Sequence, residues 1–480
     1  MIYKEGDFVR TYLLEIPDYG SGTKALLDNL KRIAILDSNV KAERLLDPKY
    51  LTAMRLQFRE RSSKILEKEL PHLDEESKNT LIAILLHEML GLGKLDFLLA
   101  DDNLEEIVVN NHKDPIWIYH KEFGWLITNI FMDSEEQIQN YANIIARRGG
   151  KQITVLSPLL DTRLVTGDRA NATLFPISGK GNTITIRRFR RDPWTITDFV
   201  KNHTVGADVL ALIWMCMQYE LNIIISGGTA SGKTSFLNIC LPFIQPNQRV
   251  ITIEDTRELL LPDFLHWVPM TTREPNAEGK GGVSMLDLLV NSLRQRPDRI
   301  IVGETRSQKD AEVMFEAMHT GHSVYTTFHA NTAEETVRRF TNPPINIPPT
   351  VFDSVHLNVV LFRNRRLGVR RVLQIAEYIP ERKGGEERLT PNTLYRWKPG
   401  SDKTEVHSEA VRLWDELSMR TGLTYNELTA DLKDKQMVLE WLVDSGIHHV
   451  NDVGKVMAKY YLDENSVLDL ARNKKKIDFI

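Results

Sequence analysis

Residues 221–234, Leu-Asn-Ile-Ile-Ile-Ser-Gly-Gly-Thr-Ala-Ser-Gly-Lys-Thr, constrain this chain more than any other stretch. The apolar run Ile223–Ile225 reads as a buried parallel strand. It breaks at Gly227 and Gly228, and from Gly232 onward the sequence can start a helix. Gly227 to Thr234 fit the spacing G-x-x-x-x-G-K-[ST], with Thr229, Ala230 and Ser231 inside the loop. Glycines let backbone N–H groups turn inward around a β-phosphate, and the helix N-terminus adds positive potential. Lys233 is placed to reach the β- and γ-phosphates and the Thr234 hydroxyl to hold Mg²⁺. A chance glycine turn is the bland alternative, and the strand leading straight into the glycines argues against it. A nucleoside triphosphate is the expected ligand.

The 480 residues suffice for about three domains with sizeable cores. Apolar and charged fractions of 42% and 26% are ordinary for a globular chain, so disorder is not the default. With 61 basic and 65 acidic residues the net charge is −4, which argues against a coat for nucleic acid. Cys216 and Cys240 stand apart in apolar surroundings, so they read as buried thiols in a reducing compartment, with no disulfide or zinc framework. No apolar run approaches the ~18–20 residues that span a bilayer. The start of the chain, Met-Ile-Tyr-Lys-Glu-Gly-Asp, has no signal-peptide core. A cytoplasmic protein that meets a membrane only through partners is the expectation.

Four regions follow from the pattern: a lead-in with helices over 1–90, an α+β domain over 91–205, a P-loop domain over 206–382 and a helical extension over 383–480. The first 45 residues read as irregular. Charged helical sequence follows, broken at Pro71 and restarted at Asp74–Glu75, and reads as a solvated pair. Glu105–Asn110 and Ile116–Tyr119 read as strands, and Ser134 with Gln137 opens a helix that Gly149–Gly150 ends. Arg163, Arg169, Arg187 and Arg188 form an arginine-bearing stretch. Alone they would be surface charges; beside a phosphate loop they become candidates for nucleotide phosphates or arginine fingers. Residues 192–207 read as an interdomain linker. Strands at Val250–Ile253, Ile300–Val302 and Val324–Phe328, separated by helix-length sequence, make a doubly wound α/β core with its ligand at the strands' carboxyl ends. Glu278–Gly282 reads as a mobile loop, Lys383-Gly-Gly-Glu-Glu as a second linker, and the remainder as small helices.

The strand ends carry the chemistry. One ends Glu254-Asp255-Thr-Arg-Glu258, the next Gly303-Glu304. A hydrolytic site needs a carboxylate to polarise water or hold the Mg²⁺ shell. Gly303 stands where a Walker B aspartate is usual and Asp298 comes too early, so Glu304 is the expected catalytic carboxylate and Mg²⁺ contact. Glu254, Asp255 and Glu258 form a second acidic cluster; solvated strand-end charges are the alternative. His329 ends the fourth strand, where it could sense a γ-phosphate by hydrogen bonding. His319 and His322 lie just upstream.

With these motifs assembled, the chain resembles the secretion-ATPase superfamily of type II and type IV secretion, type IV and Tad pili and the archaeal flagellum. The resemblance spans roughly residues 88–382. Its motifs are Gly227–Thr234, the "Asp box" at Thr252–Leu259, Leu293–Glu304 and the "His box" at Met318–Ala330. A missing Walker B aspartate is normal for that superfamily. Leu-Arg-Gln-Arg-Pro-Asp298 and the C-terminal extension look most like archaeal and Tad-pilus members. The resemblance implies a RecA-like P-loop core, ATP and Mg²⁺ as cofactors, and a ring-shaped homohexamer at the inner face of the cytoplasmic membrane on an integral-membrane platform protein. It also implies that N-terminal-domain arginines close over the nucleotide. Ala230 replaces a glycine found in many relatives. A nucleic-acid translocase or conjugation-type motor is the alternative from another class, disfavoured by the charge balance. A regulatory nucleotide-binding module without turnover is the third, and Glu304 argues against it.

Overall fold

A computed structural model describes residues 8–15, 48–164, 167–189, 193–275, 279–364, 366–383 and 386–475. The chain forms two compact units, Met1–Arg190 and Arg191–Ile480. Most of the irregular lead-in expected over residues 1–45 lies outside the described residues.

In the first unit, a short strand β1 (Thr11–Tyr12) precedes the helices α1 (Pro48–Glu69), α2 (Glu75–Leu90) and α3 (Lys94–Ala100). The side chain of Asp74 accepts the Ser77 N–H and so opens α2. The α1–α2 pair closes on Phe58, Leu66, Leu81 and Leu85, a small core of its own. There follow β2 (Leu104–Val109), β3 (Trp117–His120), β4 (Gly124–Thr128), α4 (Glu135–Arg148), β5 (Leu159–Arg163), β6 (Arg169–Thr173) and β7 (Thr183–Arg187). The strands form one sheet in the order β1-β4-β3-β2-β7-β6-β5, antiparallel except for the β1–β4 pair. Ile138, Tyr141, Ala142 and Ile145, spaced i, i+3, i+4, i+7, bury one face of α4.

The second unit opens with α5 (Ile196–Lys201), in the middle of the expected linker. Thr195 and Asp198 form a capping box, and Ile196 and Phe199 bury into the core of this unit. Two apolar residues one turn apart make this segment part of the domain, which corrects the linker reading. The helix α6 (Ala207–Gln218) is buried along nearly its whole length. It feeds β8 (Ile223–Gly227), every residue of which is buried, and then α7 (Lys233–Cys240). Next come β9 (Val250–Glu254), β10 (Trp267–Thr271), α8 (Met285–Ser292), β11 (Arg299–Val302), α9 (Gln308–His319), β12 (Ser323–Phe328), α10 (Ala333–Thr341), α11 (Pro349–Phe352) and β13 (Leu357–Asn364). β10-β9-β11-β12-β8-β13 is a parallel sheet. One strand, β12, separates the phosphate-loop strand from β11, which is the RecA-like order. Asp298 caps the Arg249 N–H at 2.6 Å before β11 begins and takes no part at the sheet's carboxyl end. Glu278 of the glycine-rich loop lies outside the described residues, and the Arg273–Val283 bridge ties its flanks together.

The region beyond residue 383 departs from the expectation of helices after a linker. β14 (Val369–Lys383) and β15 (Glu386–Lys398) pair antiparallel, and β16 (Lys403–Val406) closes the edge, so the sheet has nine strands. Gly384 and Gly385, at the centre of the expected linker, lie outside the described residues. β14 and β15 were illegible because Pro380 and Pro391 sit within them and no clean alternation survives. Helices begin only at α12 (Arg412–Thr421), followed by α13 (Tyr425–Asp444), α14 (Val450–Leu462) and α15 (Glu464–Arg472). They belong to the same hydrophobic core as α6: Val438, Leu439, Trp441 and Leu442 are buried in it. Lys435, buried, pairs with Asp431 and lies between the rings of Trp214 and Tyr460. The apolar stripe of α13 is therefore packing. Leu439→Ala should lower the unfolding free energy by about 2–5 kcal/mol in urea denaturation, in the same transition that melts the sheet. Loss of helical signal alone, with the sheet intact, would contradict a shared core.

Candidate nucleotide site

The sheet shapes the phosphate loop before any ligand does. Gly227 (φ +157°) pairs with Leu361 of β13, and a Cβ there would lie 2.5 Å from Ser231 Oγ and 2.6 Å from the Leu361 carbonyl oxygen. A Cβ on Gly228 would meet Asn331 Oδ1 at 2.9 Å. The Leu361 backbone leaves no room for a side chain at Gly227, whereas at Gly228 a side chain would require the Asn331 amide to swing away. Gly232 (φ +95°) is the left-handed N-cap of α7. Ser231 donates its hydroxyl to the Gly228 carbonyl at 2.8 Å and closes the turn. Thr229 and Ala230 stand exposed at the tip, while Thr234 is half-buried in the first turn of α7. Lys233 is buried, and its Nζ donates to the carbonyls of Gly227 (3.0 Å) and Gly228 (3.1 Å). Burial lowers the ammonium's pKa, with the Glu304 carboxylate opposing.

The acidic residues divide by environment. Glu254 ends β9 almost wholly buried, and its Oε1 accepts the N–H groups of Glu258 (2.8 Å) and Leu259 (3.0 Å). It therefore shapes the turn of the Asp box. Burial pushes its carboxyl up to about 7, against those two hydrogen bonds. Gly303 explains the missing aspartate: a Cβ there would press on Glu254 Cγ at 3.2 Å. Glu258 contributes its backbone N–H while its own side chain is exposed. Asp255 Oδ2 takes Arg306 at 2.6 Å, and its Oδ1 accepts the Thr272 hydroxyl at 3.2 Å. Glu304 is the carboxylate that faces the loop's lysine. Its Oε2 accepts from Arg306 Nε at 2.8 Å, and its Oε1 lies 2.9 Å from His329 Nε2.

His329 completes the path, with Nδ1 3.5 Å from Lys233 Nζ. Burial and then the Lys233 charge lower its pKa, so the ring is neutral at pH 7. The partners assign the tautomer: Nε2–H donates to Glu304, and the Nδ1 lone pair faces the ammonium. Arg339 anchors this residue by donating to the His329 carbonyl. His319 and His322 lie at the opposite end of β12 and take no part.

In the first unit, strand register sorts the arginines. Arg163 pairs with Arg169 and Arg169 with Arg187, so three guanidinium side chains stand in one cross-strand row on β5, β6 and β7. Asp161 holds Arg169 (Nε to Oδ1, 3.0 Å). The row is partly neutralised, since Arg169 is paired with Asp161 and Arg187 stands opposite Glu106 of β2. Arg188 turns to the other side; it is buried, bonded to the Asp101 carbonyl and paired with Asp102 at 3.0 Å. It anchors the strand, and this corrects its candidacy for phosphate.

The sequence reading missed Arg306, Asn331, Arg339 and Arg370, whose Nε donates to the Ala230 carbonyl at 3.1 Å. Arg306 follows Glu304 by two residues, a usable signal. Arg370 lies 140 positions from its partner, and nothing local announces it.

Residues 160–359 match the family described as Type II/IV secretion system protein. The chain belongs to this family. A protein of Methanocaldococcus jannaschii is 37% identical over 336 residues, covering 68% of this chain and 59% of its own length. The chain thus spans under two thirds of that relative. The probable conjugal transfer protein TrbB of Sinorhizobium fredii is 30% identical, over 53% of this chain and 75% of its own. The structure of the Legionella pneumophila ATPase DotB covers 79% of this chain and 95% of its own at 19% identity, with a TM-score of 0.43.

The Glu254 carboxyl has a pH signature. Its folded pKa is raised above 4.5, so the fold binds an extra proton and loses stability as pH rises from about 4.5 to 7. Denaturation of Glu254→Gln should show that loss relieved by a few kcal/mol at pH 8 relative to pH 4.5. Parallel pH profiles for wild type and variant would contradict a buried, proton-binding Glu254.

Proposed function

We propose that this chain is a Mg²⁺-dependent ATP hydrolase, acting as a cytoplasmic ring-shaped homohexamer that powers pilus or archaeal filament assembly, or secretion, at a membrane platform protein. The observation that carries this reading is the contact path from Lys233 of the phosphate loop through His329 to Glu304. Among the described residues no helix is long and apolar enough to cross a membrane; in this reading the platform protein is the membrane connection.

The residues fit ATP and Mg²⁺. A cradle that excludes a Cβ at Gly227 matches a phosphate held by backbone N–H groups. Mg²⁺ would be held by the phosphates, the Thr234 hydroxyl and Glu304. When bound, the ion neutralises charge developing on the phosphates. Lys233 exchanges the Gly227 and Gly228 carbonyls for β- and γ-phosphate oxygens. Glu304 orients the attacking water and takes its proton once one carboxylate oxygen is released from Arg306 or His329. Neutral His329 reports between the two. The row Arg163, Arg169 and Arg187, from this chain or a neighbouring copy, meets the remaining phosphate charge. Asp255 holds Arg306 in reserve.

Lys233→Ala and Glu304→Gln should each lower ATP turnover by about 100-fold or more, with Glu304→Gln keeping nucleotide affinity; unchanged turnover in either would defeat the assignment. The second reading, a conjugation-type nucleic-acid translocase, draws on the likeness to the conjugal transfer protein. DNA-stimulated hydrolysis with salt-sensitive DNA binding would favour it.

A further inference from the structure

Ala230 is the one residue of the phosphate loop that carries a Cβ in the left-handed region, at φ +59°. L residues with a Cβ avoid this conformation, and Ala cannot recover the cost with a polar side chain as Asn or Asp can. Something must hold it there. The carbonyl of Ala230 accepts a hydrogen bond from Arg370 Nε at 3.1 Å, and Arg370 Cδ lies 3.5 Å from the position a Cβ on Gly232 would take. One side chain therefore spans the tip of the loop from Ala230 to the N-cap of α7.

The strand beneath Arg370 is built to deliver it. β13 lies against β8, and its ladder with β14 shifts register between Val360 and Leu361, where Leu361 meets Gly227. Alternation then sends Arg370 and Arg371 to opposite sides of β14. Arg371 is buried and bidentate on Asp402, Nε to Oδ1 and a terminal nitrogen to Oδ2, both at 2.7 Å; it also donates to the Asn202 carbonyl at 3.2 Å. The Arg371 pair holds the Asp402 carboxyl down to about 2. The strand is thereby fixed on one side while Arg370 reaches the loop on the other.

We propose that Arg370 is a positioning residue for nucleotide binding: it braces the Ala230 carbonyl, holds the loop in its phosphate-accepting shape, and so permits alanine at 230. The proposal rests on the nucleotide site proposed above, and it is tested by binding so that the two can fail separately. Titration of the full chain with a fluorescent ADP should show Arg370→Met weakening affinity by about tenfold, the loss of one charge-assisted hydrogen bond. Arg370→Lys, which retains a donor, should stay within about threefold. In an Ala230→Gly background, where the left-handed conformation is strain-free, Arg370→Met should cost less than about threefold relative to Ala230→Gly alone. In the ATPase assay Arg370→Met should raise KM while kcat stays within about twofold, since a brace on binding acts on both states alike.

An unchanged affinity in Arg370→Met, or an equal loss in the alanine and glycine backgrounds, overturns the brace. So does a fall in melting temperature with affinity retained. A wild-type chain that binds ADP but turns over no ATP overturns the proposed function and leaves the brace measurable; one that binds no nucleotide overturns both.

Discussion

The central position of β8 is the constraint on which the rest of the site depends. With β12 on one side and β13 on the other, its backbone is fully paired, and its last residue is pressed against the Leu361 carbonyl. A strand so held cannot shift register without turning its buried residues over, and the loop that follows it leaves from a fixed point. The cradle is thus a property of the sheet, and the helix dipole of α7 adds to it. The same neighbour, β13, continues into the β14 turn and returns Arg370 to the loop's tip. The sheet supplies both floor and brace.

Charge at the site is arranged in sequence. A buried ammonium, a neutral imidazole and a carboxylate lie in contact, and Arg306 joins that carboxylate to Asp255. A protonated imidazole between Lys233 and Arg339 would place three cations together, so burial and those charges keep His329 neutral. Glu254 has a different task. Withdrawn from water and bonded to the turn at Glu258 and Leu259, it fills the space that Gly303 leaves open. Two glutamates at adjacent strand ends therefore differ, one holding the turn and one in contact with Arg306 and His329.

The parallel core was legible because its strands are short apolar runs bounded by glycine or charge, as at Ile223–Ile225 and Ile300–Val302. The helix start at Ser134 was legible for a similar reason, since the signal from Ser134 to Gln137 spans four residues. The hairpin of β14 and β15 was not, because prolines interrupt it and pairing across the turn, rather than residue type, sustains it. The α5 segment passed for a linker because a six-residue helix leaves little periodicity. At the site, the residue types at strand ends were visible, but roles that depend on burial were not. Arg187 and Arg188 look alike in sequence and face opposite sides of one strand. Arg370 meets Ala230 only after the sheet is assembled.

The central claim is that His329 stands neutral between Lys233 and Glu304, with its proton on Nε2. Nitrogen NMR of ¹⁵N-histidine-labelled protein, with His329 assigned by comparison with a His329→Gln variant, reads both protonation and tautomer. The account predicts a neutral Nε2–H ring at pH 7 that titrates below the ordinary histidine value of about 6.5. An imidazolium at pH 7, or a neutral ring with its proton on Nδ1, would contradict it.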